Sequence, residues 1–416
     1  SMMNGKCIWY ISKYVVPPDE STIGGRGYML LRELANSGYK CLIFASDASE
    51  YSSVPDIRTC YHEEIIEGLS FWWVRTFKYA GAKSFKRILS WLHFEWRLFR
   101  MPKAALPVPD AVIISSLSIL TIFNGFLLRK KFGCKLIFEI RDIWPLTLTE
   151  EGGFKHFNPF IVGLSVVEKL GYKYSDVVVG TMPNLGEHVA EVLGYEREVS
   201  CVPMGLDVDR VHDVLCLPAD YKKNYFSDEK FLVVHAGSIG ITNALEAFLL
   251  CAESLSNIPE IQFLIVGDGY LKAEYQERYS HLANLIFAPK VPRKMVQSVL
   301  KECDLLYFSV PESEVWKYGQ SLNKVIDYML SGKPIVASYT GYESMINEAQ
   351  SGSFVPAGDV ASLRKEIIRY FEMPKVNRDQ IGLRGKEWVL SNRDYKSLAA
   401  SYARLLFPTS VNHSED

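Results

Sequence analysis

Short apolar runs alternate with longer helical stretches along nearly all of this 416-residue chain. Cys7 to Ile11, Cys41 to Ala45, Ala111 to Ser115, Leu136 to Ile140 and Asp176 to Gly180 read as strands. So do Phe231 to Ala236, Gln262 to Val266, Leu285 to Ala288, Asp304 to Phe308 and Pro334 to Ala337. Helices separate them; Arg26 to Ser37 is one, ended by Gly38. Alternation of this kind predicts parallel sheets in an α/β fold. The chain is too long for one typical core, so two doubly wound units are expected. Val202-Pro203-Met204-Gly205-Leu206-Asp207 suits the end of the first, and polar Lys222 to Lys230 leads into the second. The expected boundaries are 1–205 and 206–390, with a terminal helix and tail over 391–416. That helix, about Asp394 to Leu406, has the apolar set Leu398, Ala399, Tyr402, Leu405 and Leu406. The tail after Pro408 is expected to be disordered.

The net charge of −2 excludes a protein that binds nucleic acid through overall charge. The eight cysteines are scattered, form no CxxC pair and make no zinc-spaced cluster with histidine. A reducing compartment and no structural metal are expected. Ser1 ahead of Met2-Met3 reads as a tag remnant, and no signal peptide is evident. Ala111 to Leu128 carries no charge and approaches the length of a membrane span. It also holds Ser115, Ser116, Ser118, Thr121, Asn124 and Gly125, and it splits into a strand followed by a helix over Ile119 to Lys131. The strand–helix reading is preferred.

One segment carries chemistry. Tyr318 to Ala337 reads as a polar loop, a short helix, a Gly-Lys-Pro turn and a strand. Ser321, Asn323 and Lys324 stand at the helix N-terminus, where free amides and an ammonium attract an anion. Asp327 lies about one turn on, along the same face, where it can accept bonds from hydroxyls. A diphosphate on Lys324 and a ribose or sugar on Asp327 suit this layout. An ordinary α/β connection with an exposed Lys and Asp is the alternative.

The segment resembles the nucleotide-sugar site of bacterial family 4 glycosyltransferases, in the branch that builds O-antigen, capsule and colanic-acid-type polysaccharides. The resemblance covers nearly the whole chain. It includes Pro17-Pro18 with Gly24-Gly25-Arg26, Phe138-Glu139-Ile140-Arg141-Asp142-Ile143-Trp144-Pro145, Ala236-Gly237-Ser238-Ile239-Gly240 and Ile265-Val266-Gly267-Asp268-Gly269. It implies the GT-B fold: two Rossmann-like doubly wound domains facing a cleft, the first for the acceptor, the second for the nucleotide sugar, with the last helix crossing back to the first. It also implies a retaining, metal-independent hexosyltransferase (EC 2.4) without cofactor. The donor would be a nucleotide diphosphate sugar, UDP-linked and with an N-acetylated amino sugar. The acceptor would be a polyprenyl-diphosphate-linked saccharide, met at the inner face of the cell membrane.

Gly24-Gly25-Arg26-Gly27 follows a long loop that begins at Ser12 and reaches Thr22. Glycines there let backbone amides approach a phosphate or sugar closely. The spacing is not that of a dinucleotide turn, although Asp47 follows the second strand. The resemblance places Gly24 and Gly25 by the donor diphosphate, where Arg26 would add charge. Glu139, Arg141 and Asp142 end a strand, the place where α/β folds bind ligands; an ion pair that fixes the loop is the alternative. Many relatives have a His-Asp pair here, so Arg141 replaces the histidine and Asp142 is the better catalytic candidate. Two further departures matter. Many relatives have two glutamates separated by seven residues; Asp327 matches the second and Gly319 the first, with Glu312 and Glu314 upstream. Ser238 stands where a phosphate-binding arginine is common, so Lys324, with Lys290 or Arg293, must carry more of the diphosphate charge. The base would sit along Leu285 to Val291. His156, His188 and His235 have no context that marks them as catalytic.

Phe71 to Lys103 is rich in aromatic and basic residues, with Glu95 its one acid after Arg75. On a helix, Phe85, Leu89, Leu92, Trp96 and Phe99 form a stripe, and Lys83, Lys86, Arg87, Ser90, His93, Arg97 and Arg100 fall elsewhere. An interfacial helix on an anionic membrane has this pattern, with Trp72, Trp73, Lys86, Arg87, Trp91, Trp96 and Arg97 as candidate contacts. A core helix with a solvated basic face is the alternative. Tyr79 adds to the aromatic count, but single-stranded nucleic acid has no other support. Two rival functions remain: a nucleotide-sugar epimerase of similar build, and a non-catalytic membrane or sugar-binding protein.

Overall fold

The computed structural model describes residues 5–19, 24–48, 54–78, 85–115 and 119–409. Ser1, Met2, Met3, Thr22, Tyr79, Lys83, Ser116, Ser118, the side chain of Phe85 and the tail from Ser410 lie outside the described residues. The chain divides into two compact units: Ser1–Pro203 with Tyr395–Asp416, and Met204–Asp394.

The first stretch runs β1 (Cys7–Ile11), α1 (Arg26–Asn36), β2 (Lys40–Ser46), β3 (Tyr61–Ile66), β4 (Leu69–Val74), α2 (Phe85–Arg100), β5 (Ala111–Ile114) and α3 (Thr121–Phe132). It continues with β6 (Lys135–Ile140), α4 (Leu146–Glu150), α5 (Pro159–Tyr174), β7 (Val177–Gly180), α6 (Leu185–Leu193) and β8 (Ser200–Cys201). The second stretch runs α7 (Ala219–Tyr225), β9 (Phe231–Ala236), α8 (Glu246–Ser254), β10 (Ile261–Val266), α9 (Lys272–Arg278), β11 (Leu285–Ala288) and α10 (Val296–Lys301). Then come β12 (Leu305–Ser309), α11 (Asn323–Leu330), β13 (Ile335–Ser338), α12 (Ile346–Ala349), β14 (Gly352–Val355), α13 (Val360–Glu372) and α14 (Lys375–Asn392). The last helix is α15 (Tyr395–Leu406).

In the first unit the strand order is β3-β4-β2-β1-β5-β6-β7-β8. Every pair is parallel except β3 with β4. That hairpin went unforeseen because 71–103 reads as one basic aromatic stretch. It is two elements, the end of β4 and then α2. The hairpin turn is Glu67-Gly68, with φ of 46° and 84°, and two such residues between paired strands match a type I′ turn. β1, β2 and β5 are buried along their length, apart from exposed Lys40, as parallel strands covered on both faces must be. α1 and α15 share one core: Tyr28 and Leu31 pack with Tyr395, Leu398, Tyr402 and Leu406 over Ile113, Ile137 and Val179. The terminal helix therefore completes the first unit, as the resemblance implies.

The uncharged Ala111 to Leu128 run is the strand β5 and most of α3. Among the described residues, no helix is long and apolar enough to cross a membrane.

In the second unit the order is β11-β10-β9-β12-β13-β14, all parallel. Numbered within the unit this is 3-2-1-4-5-6, the doubly wound order. β14, the weakly apolar Gly-Ser-Phe-Val, was not anticipated.

Candidate active site

A doubly wound sheet opens a crevice where the chain reverses direction across it. In the second unit that point lies outside the carboxyl ends of β9 and β12. The two strands pair only through Val233 with Leu305 and Val234 with Leu306, then part. The Tyr328 hydroxyl of α11 fills the gap. It accepts from the Ala236 amide at 2.9 Å and donates to the Tyr307 carbonyl at 2.8 Å. α11 is thereby pinned at the mouth of the sheet. Lys324 lies one turn earlier on the same helical face.

Lys324 lies across Gly237, the first residue beyond β9. A Cβ at Gly237 would stand 2.6 Å from Lys324 Nζ and 2.7 Å from its Cε. A side chain there would displace the ammonium from its present path. Gly267 follows β10 and is the more tightly constrained, since its Cβ would fall 1.9 Å from the Gly237 carbonyl oxygen, which is backbone. Gly269 lies against Ile239 in the same way, at 2.2 Å. The two glycine loops of the sequence thus pack as layers, the second supporting the first.

His235, buried on β9, faces the Ser238 carbonyl at 3.1 Å through Nε2. A carbonyl only accepts, so Nε2 carries the proton. Burial, reinforced by the Lys324 charge, holds the His235 value well below ordinary, so the ring stays neutral. It fixes the turn of the glycine loop. Burial also lowers the Lys324 ammonium to about 8, partly opposed by Asp327. Among the described residues Lys324 makes no hydrogen bond or ion pair. α11 begins with no side-chain cap, and of its first three amides that of Val325 donates to the Leu322 carbonyl at 3.2 Å; a helix start of this kind suits an anion. Asn323 is exposed there and Ser321 is half-buried.

Asp327 and Arg293 were expected to act separately, one on hydroxyls and one on phosphate. The structure pairs them: Arg293 donates to both Asp327 oxygens, at 2.6 and 2.9 Å. A carboxylate has about four acceptor positions, so Asp327 retains capacity for a hydroxyl. The Arg293 charge, however, is largely matched. Lys290 is exposed just beyond β11, where the Tyr221 hydroxyl holds the Pro289 carbonyl at 2.7 Å. Glu314 pairs with Lys317 at 2.6 Å, and Glu312 is exposed.

In the first unit, Glu139 is buried and accepts four bonds. The donors are Ser115 Oγ at 2.7 Å, Tyr402 Oη at 2.7 Å, Tyr10 Oη at 3.2 Å and Arg26 at 3.3 Å. Arg26 also donates to the Pro203 carbonyl at 2.6 Å. This corrects the expectation that Arg26 adds charge to a phosphate site; its guanidinium is consumed in the core. Burial pushes Glu139 up, but Arg26 and the hydroxyls outweigh it and hold the carboxyl below its ordinary value. Gly24 has φ of 108°, and Gly25 donates its amide to the Val16 carbonyl at 2.8 Å. Beyond β6, Arg141 is half-buried and Asp142 is exposed.

The candidate membrane residues separate. Trp73 is 1% exposed on β4 and donates to Glu64 at 2.8 Å; Trp91 is 4% exposed and meets Trp144 edge-on at 5.1 Å. Both belong to the core, because both turn toward the sheet or its loops. Trp72 is half-buried, and Arg97 bonds the Cys60 sulfur at 2.7 Å. Lys86 and Trp96 are exposed, and half-buried Arg87 lies over Trp91. Ser90 is buried and accepts a bond at 2.9 Å from Lys13, whose ammonium burial lowers to about 7. α2 therefore packs Trp91, Phe94 and Leu98 inward with Ser90, as a core helix does, and in addition turns its Leu89–Leu92–Trp96–Phe99 stripe outward.

Sequence reasoning did not single out Tyr328, and it set His235 aside. The spacing of Tyr328, four residues past Lys324 on one helical face, was the available signal. No group of three or more His, Cys, Asp or Glu able to hold a metal occurs among the described residues.

Residues 230–373 match the family model for glycosyl transferases group 1. No curated protein matches the chain. Among solved structures it is similar to sucrose-phosphate synthase from Thermosynechococcus elongatus, at 16% identity and TM-score 0.69, covering 96% of this chain and 98% of that one. An alpha,alpha-trehalose-phosphate synthase (UDP-forming) from Burkholderia vietnamiensis is 13% identical with TM-score 0.70, covering 99% of each chain. WaaG, a glycosyltransferase involved in lipopolysaccharide biosynthesis, is 12% identical with TM-score 0.65, covering 97% of this chain and 100% of that one. The fold is therefore that of the GT-B glycosyltransferases, and residues 230–373 form a glycosyl transferases group 1 domain.

Proposed function

We propose that this protein is a retaining glycosyltransferase that moves a sugar, an N-acetylated hexosamine, from a UDP-linked donor to a polyprenyl-diphosphate-linked saccharide in bacterial surface polysaccharide synthesis. It would work on the inner face of the cell membrane. One observation carries the reading: Lys324 lies over Gly237 at the uncapped start of α11, at the reversal point of a glycosyl transferases group 1 domain. UDP as the departing group has the support of the UDP-forming relative, and the polysaccharide setting that of WaaG.

In this mechanism the bond between the anomeric carbon and the diphosphate oxygen breaks first. Lys324 and the α11 amides meet the charge that develops on the diphosphate. The acceptor hydroxyl then attacks the anomeric carbon on the face the diphosphate leaves, and its proton passes to a diphosphate oxygen. Asp142 and Arg141 are assigned to sugar hydroxyls, Gly24 and Gly25 to the donor phosphates, Ser321 and Asn323 to phosphate oxygens, Asp327 to a donor hydroxyl and Lys290 to the base. The test is a calorimetric and thermal-shift screen of UDP, GDP, dTDP, ADP and CMP without added metal. A ligand that binds only the folded state raises its stability. A shift selective for UDP supports the reading; no shift with any nucleotide overturns it. Epimerised sugar formed from donor alone would instead indicate an epimerase.

A further inference from the structure

The sheet of the first unit is covered differently on its two faces. α1 and α15 seal one. The other, carrying Leu136 and Phe138, holds α3 and α5. A Cβ at Gly125 of α3 would lie 2.8 Å from Leu136, and one at Gly171 of α5 would lie 2.1 Å from Phe138. α2 lies beside α3, since Thr121 and Asn124 both bond Glu95. Arg129 of α3 reaches the Tyr174 carbonyl at the end of α5, at 2.6 Å. The three helices form a row.

Apart from Ser165 and Tyr174, the side chains the row exposes are apolar or basic. α2 exposes Leu89, Leu92, Trp96 and Phe99 between Lys86 and Arg100, and the tryptophan is 57% exposed. α3 exposes Phe123 and Leu127 with Lys130 and Lys131. α5 exposes Val162 and Val166 with Lys169 and Lys173. No aspartate or glutamate of the three helices is exposed. Their two carboxylates turn inward: Glu95 to Thr121 at 2.6 Å, and Glu168 to Tyr172 and His188, each at 2.8 Å. A surface that serves only solubility mixes both signs of charge.

We propose that this three-helix face docks on a bilayer containing anionic lipid, its apolar stripes entering the interface and its lysines and arginines meeting headgroup phosphates. A second copy of the chain is the poorer occupant, because pairing the face with itself would oppose cation with cation. The proposal rests on the lipid-linked acceptor reading and deepens it, extending the contact from one helix to three.

Flotation of the full chain, without nucleotide, tests it on two kinds of vesicle: phosphatidylcholine alone, and an equal mixture of phosphatidylcholine and phosphatidylglycerol. The protein should float with the mixed vesicles and detach as salt rises. Each basic side chain near such a surface is worth roughly fivefold in affinity. Lys130→Glu with Lys131→Glu, on a helix outside the α2 stripe, should therefore weaken vesicle binding more than tenfold while the UDP thermal shift is unchanged. Leu92→Ser with Leu127→Ser should weaken it at both low and high salt. Equal binding to both vesicles, no binding to either, or an α3 double variant that binds within twofold of wild type would each overturn the proposal. So would concentration-dependent self-association that the α3 variant abolishes. Loss of nucleotide binding with flotation intact would count against the proposed reaction and leave the face standing.

Discussion

Replacing Lys324 with methionine should make the protein more stable at neutral pH and a much weaker binder of UDP. Burial lowers its ammonium from the ordinary 10.5 to about 8. At 1.36 kcal/mol per pH unit this corresponds to about 3 kcal/mol of penalty on the charged form. Lys324 is only half-buried, so solvent screening reduces the measurable part to ~1–2 kcal/mol. Methionine fills the path of the aliphatic stem over Gly237 and leaves no charge. The folded value lies below the unfolded one, so the lysine penalty is complete at pH 7, lessens as pH rises past about 8 and is gone above 10.5. Urea unfolding should therefore show the variant ahead at pH 7 and level with wild type near pH 11. A lost charge-assisted contact costs ~1.5–3 kcal/mol, so calorimetry should show UDP binding weaker by about 10–150-fold. UDP affinity within twofold of wild type, or a variant less stable by more than about 1 kcal/mol at pH 7, would refute the assignment and make Lys324 a structural residue.

Wild-type UDP affinity should itself fall as pH rises through about 8, because the free ammonium then loses its proton; a flat calorimetric profile from pH 7 to 9 would contradict this. Tyr328→Phe leaves the Ala236 amide and the Tyr307 carbonyl unpaired at the mouth of the sheet. It should cost ~2–4 kcal/mol in urea unfolding and raise the UDP Kd, without changing the acceptor KM. Glu139→Gln strands the buried Arg26 charge and should cost ~3–5 kcal/mol. In wild type the contribution of that pair should hold above the ordinary carboxylate value of 4.5 and disappear only as pH falls below it, which acid unfolding can follow. Arg293→Ala breaks an exposed ion pair and should change stability by less than about 1 kcal/mol, yet weaken donor binding by freeing the Asp327 side chain to rotate.

Most of the strands rest on signals present in the chain itself. Buried parallel strands need unbroken apolar runs, and Phe231 to Ala236 and Leu136 to Ile140 supply them. β3 and β4 escaped for the opposite reason. Tyr61–Ile66 is mostly exposed and polar, and the aromatic content of β4 is continuous in sequence with that of α2. The Glu67-Gly68 turn was the clue to separate them. At the site, Lys324 and Gly237 were readable because helix starts and glycine loops carry local chemistry. The Arg293–Asp327 fork joins residues far apart in sequence, and neither has a marker for the other. Arg26 misled for a similar reason: beside two glycines it reads as a ligand, and only the fold shows Glu139 waiting in the core. Trp73 and Trp91 look like Trp96 in composition; burial alone tells them apart.

The terminal helix has a consequence for how the chain is made. Met204–Asp394 is continuous, so the second unit can close as soon as it leaves the ribosome. The first unit waits. α1 lacks its cover and Glu139 lacks the Tyr402 hydroxyl until Tyr395–Leu406 is made. At about 5–20 residues per second that interval is on the order of 10–40 s. The unit begun first in synthesis is completed last, and for that interval an apolar helix face stands open to whatever holds nascent chains in the cell.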